Sequence, residues 1–289
     1  MDIILGAGGQ VGSEVSRLLE SRSRPVRRVL HCSSETKDKR QTPPNSGSET
    51  VAADYFDGES LKKAFSGGDT VLLLTPENIT SQNMIADAEI VFENYRAALE
   101  NSRIRRVVGL SSMGAQLSEE AGMLQLYAML EKFLDTLDNT DIEIFIIRPA
   151  YYYSNWMMFA DTAQKEGVLP TYFPPEQSFP MIAPKDAAAL IADIMENGAE
   201  NKITETAGPE LYNPSDIARF FGGLFGKEIT PMTIPYEEWY PGLLQAGFSE
   251  NAAELMTGMT KTVADGKSDF TIPPVRTKTT FSIYLEAFK

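Results

Sequence analysis

Cysteine and histidine are almost missing from this chain: 289 residues contain one of each, Cys32 and His31. One cysteine excludes an intrachain disulfide and any cysteine-rich metal site, which suits a reducing compartment. A lone histidine removes poly-His zinc schemes, so no metal-ligand set stands out. Positive charge is short as well, with 26 Lys+Arg against 40 Asp+Glu and a net charge of −14. A chain that negative repels phosphate backbones, so direct binding to nucleic acid or to an anionic membrane surface is not expected. No apolar run approaches the ~20 residues that span a bilayer; Val71 to Thr75 is only strand-length. A secretory leader is not expected either: Asp2 stands where a basic segment belongs, and the apolar stretch Ile3 to Leu5 is too short. The expected location is the cytoplasm.

What is there reads as a soluble globular chain, 43% hydrophobic and 23% charged, long enough for one large domain or two coupled ones. The first half alternates short apolar runs with amphipathic stretches. Ile3 to Leu5, Val26 to Leu30, Val51 to Ala53, Val71 to Leu74, Arg106 to Leu110 and Ile142 to Ile147 are strand-like. Helical patterns separate most of them: one with Val11, Val15, Leu18 and Leu19 on one face, then Leu61 to Phe65, Met84 to Leu99 and Leu124 to Leu137. Six such alternations predict an α/β fold, a doubly wound parallel sheet with helices on both faces. After Pro149 the rhythm gives way to aromatic and proline-rich segments and a helical tail from Glu237 to Asp265. The expected division is a nucleotide-binding domain over 1–150, with 178–200 returning to it. A smaller, mostly helical C-terminal lobe would cover 151–177 and 201–289. Asp186, just after Pro184, reads as a helix-start device.

The sequence Gly6-Ala7-Gly8-Gly9-Gln10-Val11-Gly12 opens directly off the first strand and runs into the first helix. Gly6 permits a tight turn, Gly8 or Gly9 lets backbone approach a pyrophosphate, and Gly12 lets helix pack close to strand. The helix N-terminus adds N–H groups and positive dipole. In this strand-loop-helix context the pattern predicts dinucleotide binding. An NAD-preferring fold places a carboxylate at the end of the second strand for the ribose 2′-OH. Here that strand ends His31-Cys32-Ser33-Ser34, and Arg22 to Arg40 holds seven basic residues against two acidic ones. Cations and hydroxyls suit a 2′-phosphate, so NADP(H) is favoured over NAD(H). Arg22, Arg24 and Arg27 are equally read as a solvated outer face, and His31 as a polar strand end. Ligands lie outside the carboxyl ends of parallel strands. That adds Asp54 and Tyr55 near adenine, Leu74, Thr75 and Pro76 near the pyrophosphate and ribose, and Ser111, Ser112, Met113, Ala150, Tyr151 and Tyr152 near the nicotinamide. Each alone is ordinary turn chemistry; their joint placement carries the expectation.

Taken together, Gly6 to Gly12, Asp54-x-x-Asp57-x-x-Ser60-Leu61, Leu74-Thr75-Pro76, Ser111-Ser112-Met113-Gly114-Ala115 and Ile147-Arg148-Pro149 resemble the NmrA-like proteins, which are atypical short-chain dehydrogenase/reductases. The resemblance runs along nearly the whole chain, through Gly226-Lys227-Glu228-Ile229 and the helix after Tyr236. It implies NADPH-dependent reductases of quinones, triphenylmethane dyes or ergot-type alkaloids, or non-catalytic NADP sensors that bind regulatory proteins. It also implies that the glycine loop holds the pyrophosphate and that His31 to Ser34 face the adenosine ribose. Tyr151 to Asn155 would line the nicotinamide and substrate mouth. Two positions depart from the family pattern. His31 replaces the usual Arg, and Tyr127 stands four residues before Glu131 where relatives carry Lys or His.

Typical short-chain reductases pair a Ser at the end of strand five with Tyr-x-x-x-Lys on the next helix, the Tyr donating a proton. Here residue i+4 from Tyr127 is Glu131, and Lys132 points ~140° away around the helix. The expectation is a broken proton-donor scheme in which Glu131 raises the Tyr127 phenol. Tyr127 is thus a candidate catalytic acid or a hydrogen bond to the nicotinamide amide. Quinones and cationic dyes accept hydride without a strong protein acid, because the developing charge is delocalised. Tyr151, Tyr152, Tyr153, Asn155, Trp156 and Phe159, with Met157 and Met158, suit a flat aromatic or quinone-like substrate, or equally a hydrophobic seam between lobes. Two readings stay open. One is an NADPH-dependent reductase of a conjugated small molecule. The other is an NADP(H) sensor whose lobe docks a regulatory protein or a second copy of the chain.

Overall fold

Short apolar runs bounded by turns build the core. The computed structural model describes residues 1–31, 47–117, 121–138 and 140–288, so the expected sites at Cys32, Ser33 and Ser34 lie outside the described residues. In chain order come β1 (Asp2–Ile4), α1 (Gln10–Ser21), β2 (Val26–His31), β3 (Glu49–Ala53) and α2 (Gly58–Phe65). They are followed by β4 (Thr70–Leu74), α3 (Met84–Glu100), β5 (Arg106–Leu110), α4 (Leu124–Asp135) and β6 (Glu143–Pro149). The six strands pair in the order β6-β5-β4-β1-β2-β3, parallel throughout. Ile3, Leu5, Val71 and Leu73 face α2, α3 and α4, whereas Ile4 and Leu72 face Val11, Val15 and Leu19 of α1. Helices cover both faces, so both rows of side chains are apolar and the strands read as continuous apolar runs. Each fully buried Leu or Ile contributes about 1.5–3 kcal/mol.

The second half supplies β7 (Tyr151–Tyr152), α5 (Ala160–Glu166), β8 (Val168–Thr171), β9 (Phe179–Ile182), α6 (Pro184–Asn197), β10 (Ile203–Ala207) and β11 (Leu211–Tyr212). It continues with α7 (Pro214–Phe225), β12 (Thr230–Thr233), α8 (Tyr236–Gln245), α9 (Glu250–Ala264), β13 (Val275–Arg276) and α10 (Phe281–Leu285). Strands β10 and β13 extend the main sheet beyond β6, making eight strands among the described residues. They come from the stretch expected to lie wholly in the lobe, and their sequences show why. Ile-Thr-Glu-Thr-Ala has no apolar run, and Glu205 sits at a buried position because Arg148 of β6 meets it there. Helix α6 packs beside α1.

The remaining lobe is less helical than its sequence suggests. A three-stranded sheet, β11-β9-β7, and a β12-β8 pair enclose an aromatic core of Tyr153, Trp156, Phe173, Phe179, Phe221 and Phe281. Asp186 is not the cap of α6. Ala183 occupies the N-cap position and Pro184 opens the helix. The Asp186 carboxylate instead accepts bonds from the Thr279 backbone N–H at 3.1 Å and hydroxyl at 2.8 Å, docking the C-terminal segment. No helix among the described residues is long and apolar enough to cross a membrane.

Candidate functional site

The glycine loop leaves β1 in a left-handed turn at Gly6, φ +60°, where a Cβ would stand 2.3 Å from Leu74 Cδ2. At Gly12 a Cβ would lie 2.4 Å from the Gly6 carbonyl oxygen and 2.8 Å from its carbon, so α1 approaches β1 as closely as backbone permits. Ala7 and Val11 are buried anchors, while Gly8, Gly9 and Gln10 lie open on the surface. Gly9 is the N-cap of α1 and offers no side chain to cap it. By contrast, Asp57 caps α2 and Asn83 caps α3. The first N–H groups of α1 therefore face the loop opening with no side chain to accept from them, the arrangement that binds phosphate at helix N-termini.

Tyr55 holds this loop from beneath. Its buried phenol oxygen accepts the Gly6 N–H at 2.8 Å, and burial pushes its pKa up to about 12. It is therefore a brace under the loop, and the exposed His31 ring packs beside it, centroids 4.6 Å apart at 45°. Asp54 closes the neighbouring turn by accepting the Phe56 N–H at 2.9 Å.

The basic stretch after α1 is largely spent on structure. Arg24 grips buried Asp2 with two bonds of 2.6 and 2.7 Å. Arg22 meets Asp193 at 2.6 Å and Glu196 at 3.0 Å, Arg27 meets Glu49 at 2.6 Å, and Arg28 pairs with Glu20. None of these four points its charge free toward a ribose. Lys37, Lys39 and Arg40 lie outside the described residues.

At the carboxyl ends of β4 to β6 the site changes character. Thr75 Oγ1 and Tyr152 Oη are buried polar atoms without a hydrogen-bond partner among the described residues. Tyr127 of α4 donates its hydroxyl to Glu77, which follows Thr75-Pro76. Glu131 is turned elsewhere, so the carboxylate at Tyr127 is Glu77 from a distant loop, not the residue one turn along the helix. Burial first, and then the negative charge of Glu77, raise the Tyr127 phenol well above its ordinary 10.0. Glu77 is exposed as a residue, yet the groups packed around its carboxyl desolvate it and raise it above the ordinary 4.5, partly offset by the Tyr127 hydrogen bond.

Glu131 belongs to a buried network. Ser111 Oγ donates to Glu131, and Arg148 grips the same carboxylate through Nε at 2.8 Å and Nη2 at 2.6 Å. Arg148 Nη1 also reaches Glu205 at 3.2 Å and the Thr271 hydroxyl at 3.2 Å. The Thr271 and Ile272 N–H groups complete the shell of Glu205 at 2.7 and 2.9 Å. Two carboxylates thus share one guanidinium.

Other expected residues separate into cleft and core. Tyr151 is half-buried and hydrogen-bonds Asn155, and burial raises both its phenol and that of Tyr152. Met113 and Ala150 are buried together with Ile182 and Ala207, and the Ser112 hydroxyl turns onto the Met113 carbonyl at 3.2 Å. Tyr153 and Trp156 pack inside the lobe, Tyr153 donating to the Thr279 carbonyl at 3.2 Å and the Trp156 indole to Met181 Sδ at 3.3 Å. Their hydroxyl and N–H are not offered to a mouth. Glu77 is the residue that sequence reasoning missed; its position directly after the Leu74-Thr75-Pro76 strand end was the available signal.

Helix α9 roofs this region. The Leu255 carbonyl accepts the Met123 N–H at 2.8 Å, and Gly122 lies backbone to backbone against Gly258. The Ser249 N–H donates to the Ile79 carbonyl at 2.8 Å, its hydroxyl to the Ser81 carbonyl, and Asn251 accepts the Met84 N–H at 2.9 Å. The loop carrying Glu77 is thereby tied to the lobe.

A dinucleotide fits these residues: a glycine cradle at one end, and buried, unpartnered Thr75 and Tyr152 hydroxyls at the other. Comparison with known proteins bears on the family and the fold. A model of the NmrA-like family matches residues 3–284. An NAD(P)H azoreductase of Xenophilus azovorans is 21% identical over 258 residues, 89% of this chain and 85% of that protein. Among solved structures, a nucleoside-diphosphate-sugar epimerase of Staphylococcus aureus has a TM-score of 0.79 at 18% identity, covering 99% of both chains. An NADPH-dependent quinone oxidoreductase of Escherichia coli, solved with NADPH, has a TM-score of 0.74 at 19% identity, covering 100% of this chain and 99% of that one.

Proposed function

The chain belongs to the NmrA-like family, and from that premise we propose that it is an NAD(P)H-dependent reductase of a conjugated small molecule, with NADP(H) favoured over NAD(H). The observation that carries this reading is the pairing of an uncapped, glycine-lined helix N-terminus with two orphaned hydroxyls, Thr75 directly after β4 and Tyr152 in β7, which follows β6. Gly6 to Val11 would hold the pyrophosphate, Thr75 and Pro76 the ribose, and Tyr152 the nicotinamide end. When bound, the reduced nicotinamide supplies a hydride. The protein's part is to bind, orient and exclude water, with α9 packed over the loop that carries Glu77. The azoreductase and quinone reductase relatives support a conjugated acceptor of this kind. NADP preference rests on His31, which leaves the end of β2 without a carboxylate, and on Lys37, Lys39 and Arg40 beyond it. The lone cysteine suits a cytoplasmic setting.

A sensor reading has its own support. The Ser111 and Tyr127 hydroxyls, at the positions a reductase would use for protonation, both donate to carboxylates. NADPH and NADH titrations, run beside NADPH oxidation with a panel of quinones, azo dyes and cationic dyes, separate the readings. Tight NADPH binding with turnover supports the reductase; tight binding without turnover on any acceptor supports the sensor. Absence of nucleotide binding overturns both.

A further inference from the structure

We propose that Phe270 sets how wide an acceptor the site takes, and that buried Glu205 is the residue that positions it. This rests on the reductase reading and narrows it. After α9 the chain turns at Gly266, φ +69°, and is then tied in succession to β5, β6 and β10. Ser268 Oγ donates to the Met113 carbonyl at 3.4 Å, and Gln116 Nε2 to the Asp269 carbonyl at 2.9 Å, both just past β5. Beyond Phe270, Glu205 of β10 accepts the Thr271 and Ile272 N–H groups and, at 3.1 Å, the Thr271 hydroxyl. Arg148 of β6 donates to that same hydroxyl. The residues on both sides of Phe270 are thus fixed to the sheet.

What they hold in place is one ring. Phe270 is half-buried and, with Tyr152, packs on a cluster of Met113, Ala150, Ile182, Ala187 and Ala207. Ile272, the other apolar side chain of the segment, is 39% exposed. Tyr152 carries at that cluster the buried hydroxyl without a partner. A buried polar group of this kind calls for a partner, and the reductase reading supplies it with the nicotinamide. Phe270 therefore borders the place where an acceptor must lie. The anchor is stronger than packing alone requires. A carboxylate buried in a sheet is costly unless its oxygens are filled, and Arg148 is already shared with Glu131. Charge-assisted bonds from two successive N–H groups complete Glu205 and leave the segment a single position. A ring held so firmly cannot step aside for a wider acceptor. One methylene too many in an apolar site is worth about 10- to 200-fold in kcat/KM.

The test measures kcat/KM at saturating NADPH for quinones of one, two and three rings: 1,4-benzoquinone, 1,4-naphthoquinone and 9,10-phenanthrenequinone. Their intrinsic reactivities cancel when each variant is compared with the wild type. Phe270→Ala should raise the three-ring to one-ring ratio at least about tenfold. Glu205→Gln keeps the side chain's shape but gives up an acceptor oxygen, and should move the ratio the same way. Both act through one ring, so the double variant should shift no further than Phe270→Ala alone, whereas independent sites add. Thr271→Val removes the hydroxyl contact without stranding a buried charge. It should give a smaller shift in the same direction, and it replaces Glu205→Gln if that variant does not fold. An unchanged ratio in Phe270→Ala overturns the size assignment and leaves the reductase reading standing. An unchanged ratio in the positioning variants, or a double variant whose effects add, overturns the role of Glu205. NADPH binding with no turnover of any of the three quinones overturns the reductase reading and this one with it.

Discussion

Gly12→Ala should separate the nucleotide-binding role of the glycine loop from its role in packing. The new Cβ would sit 2.4 Å from the Gly6 oxygen, against an ordinary contact of at least 3.4 Å, so α1 must withdraw from β1 by about 1 Å. The opposing atoms are backbone, which no rotamer change relieves. Overpacking of this kind costs about 1–3 kcal/mol. At about 2.1 cal/mol/K per residue, unfolding of a chain this long has an entropy of about 0.6 kcal/mol/K, so Tm should fall about 2–5 °C. The functional loss should be much larger. A 1 Å displacement of the α1 N-terminus moves every N–H group aimed at a phosphate, and misplacement on that scale costs about 100-fold. Gly223→Ala is the control: at this exposed position of α7 its Cβ meets nothing within 4 Å, and the better helix former should gain about 0.5–1 kcal/mol. Differential scanning fluorimetry and NADPH titration on both variants read the two effects. Gly12→Ala with wild-type Tm and affinity would refute the close approach. A lowered Tm with intact affinity would reduce the loop to a packing device.

Other perturbations probe the rest of the site. Tyr55→Phe strands the Gly6 N–H, which should cost about 1–3 kcal/mol and weaken nucleotide binding; the same two assays check it. Arg148→Leu leaves the buried Glu131 and Glu205 carboxylates unpaired, a loss of about 3–5 kcal/mol, visible in chemical denaturation as a shifted midpoint. Ser249→Ala removes the α9 cap and its tie to Ser81; about 1 kcal/mol should be lost, with faster hydrogen exchange at 77–84 and 249–252. The raised Glu77 carboxyl makes the folded chain bind a proton more tightly than the unfolded one. Its contribution is full below 4.5 and is lost as pH rises through the raised value. Wild-type stability should therefore fall relative to Glu77→Gln over that interval, measured by urea denaturation across a pH series.

The strands and the glycine loop were legible because each is a local pattern: an apolar run of strand length, or glycines three apart between strand and helix. What the sequence hid depends on partners far away in the chain. Glu205 looks like a surface residue in a polar segment until Arg148 arrives from β6 to neutralise it. Helical spacing pointed to Glu131 as the partner of Tyr127, but each carboxylate went to the nearest unsatisfied donors. For Glu131 those were Ser111 and Arg148, and Glu77 crossed from the β4 loop to Tyr127. Tyr151 to Trp156 reads alike as core or mouth, because an aromatic side chain serves both. Tyr153 and Trp156 turned inward where Thr279 and Met181 could satisfy their polar atoms.

These hydrogen bonds bear directly on what the site can reduce. In a reductase that protonates a carbonyl, a hydroxyl must be free to donate at the moment the oxyanion forms. Here Ser111 and Tyr127 would each have to leave a carboxylate first, and a hydrogen bond to a charged group is worth about 1.5–3 kcal/mol. Charged to the barrier, that is a slowing of about 10- to 100-fold for each hydroxyl recruited. The departing proton would also leave a phenolate or alkoxide beside a carboxylate, so the penalty grows as the transfer proceeds. Simple ketones should consequently be poor acceptors even where nucleotide binding is tight. Tyr127→Phe should barely slow an acceptor that needs no proton, whereas in a tyrosine-acid mechanism the same change would abolish turnover. Steady-state NADPH oxidation by the two proteins, with 10-methylacridinium and with a simple ketone, decides between them.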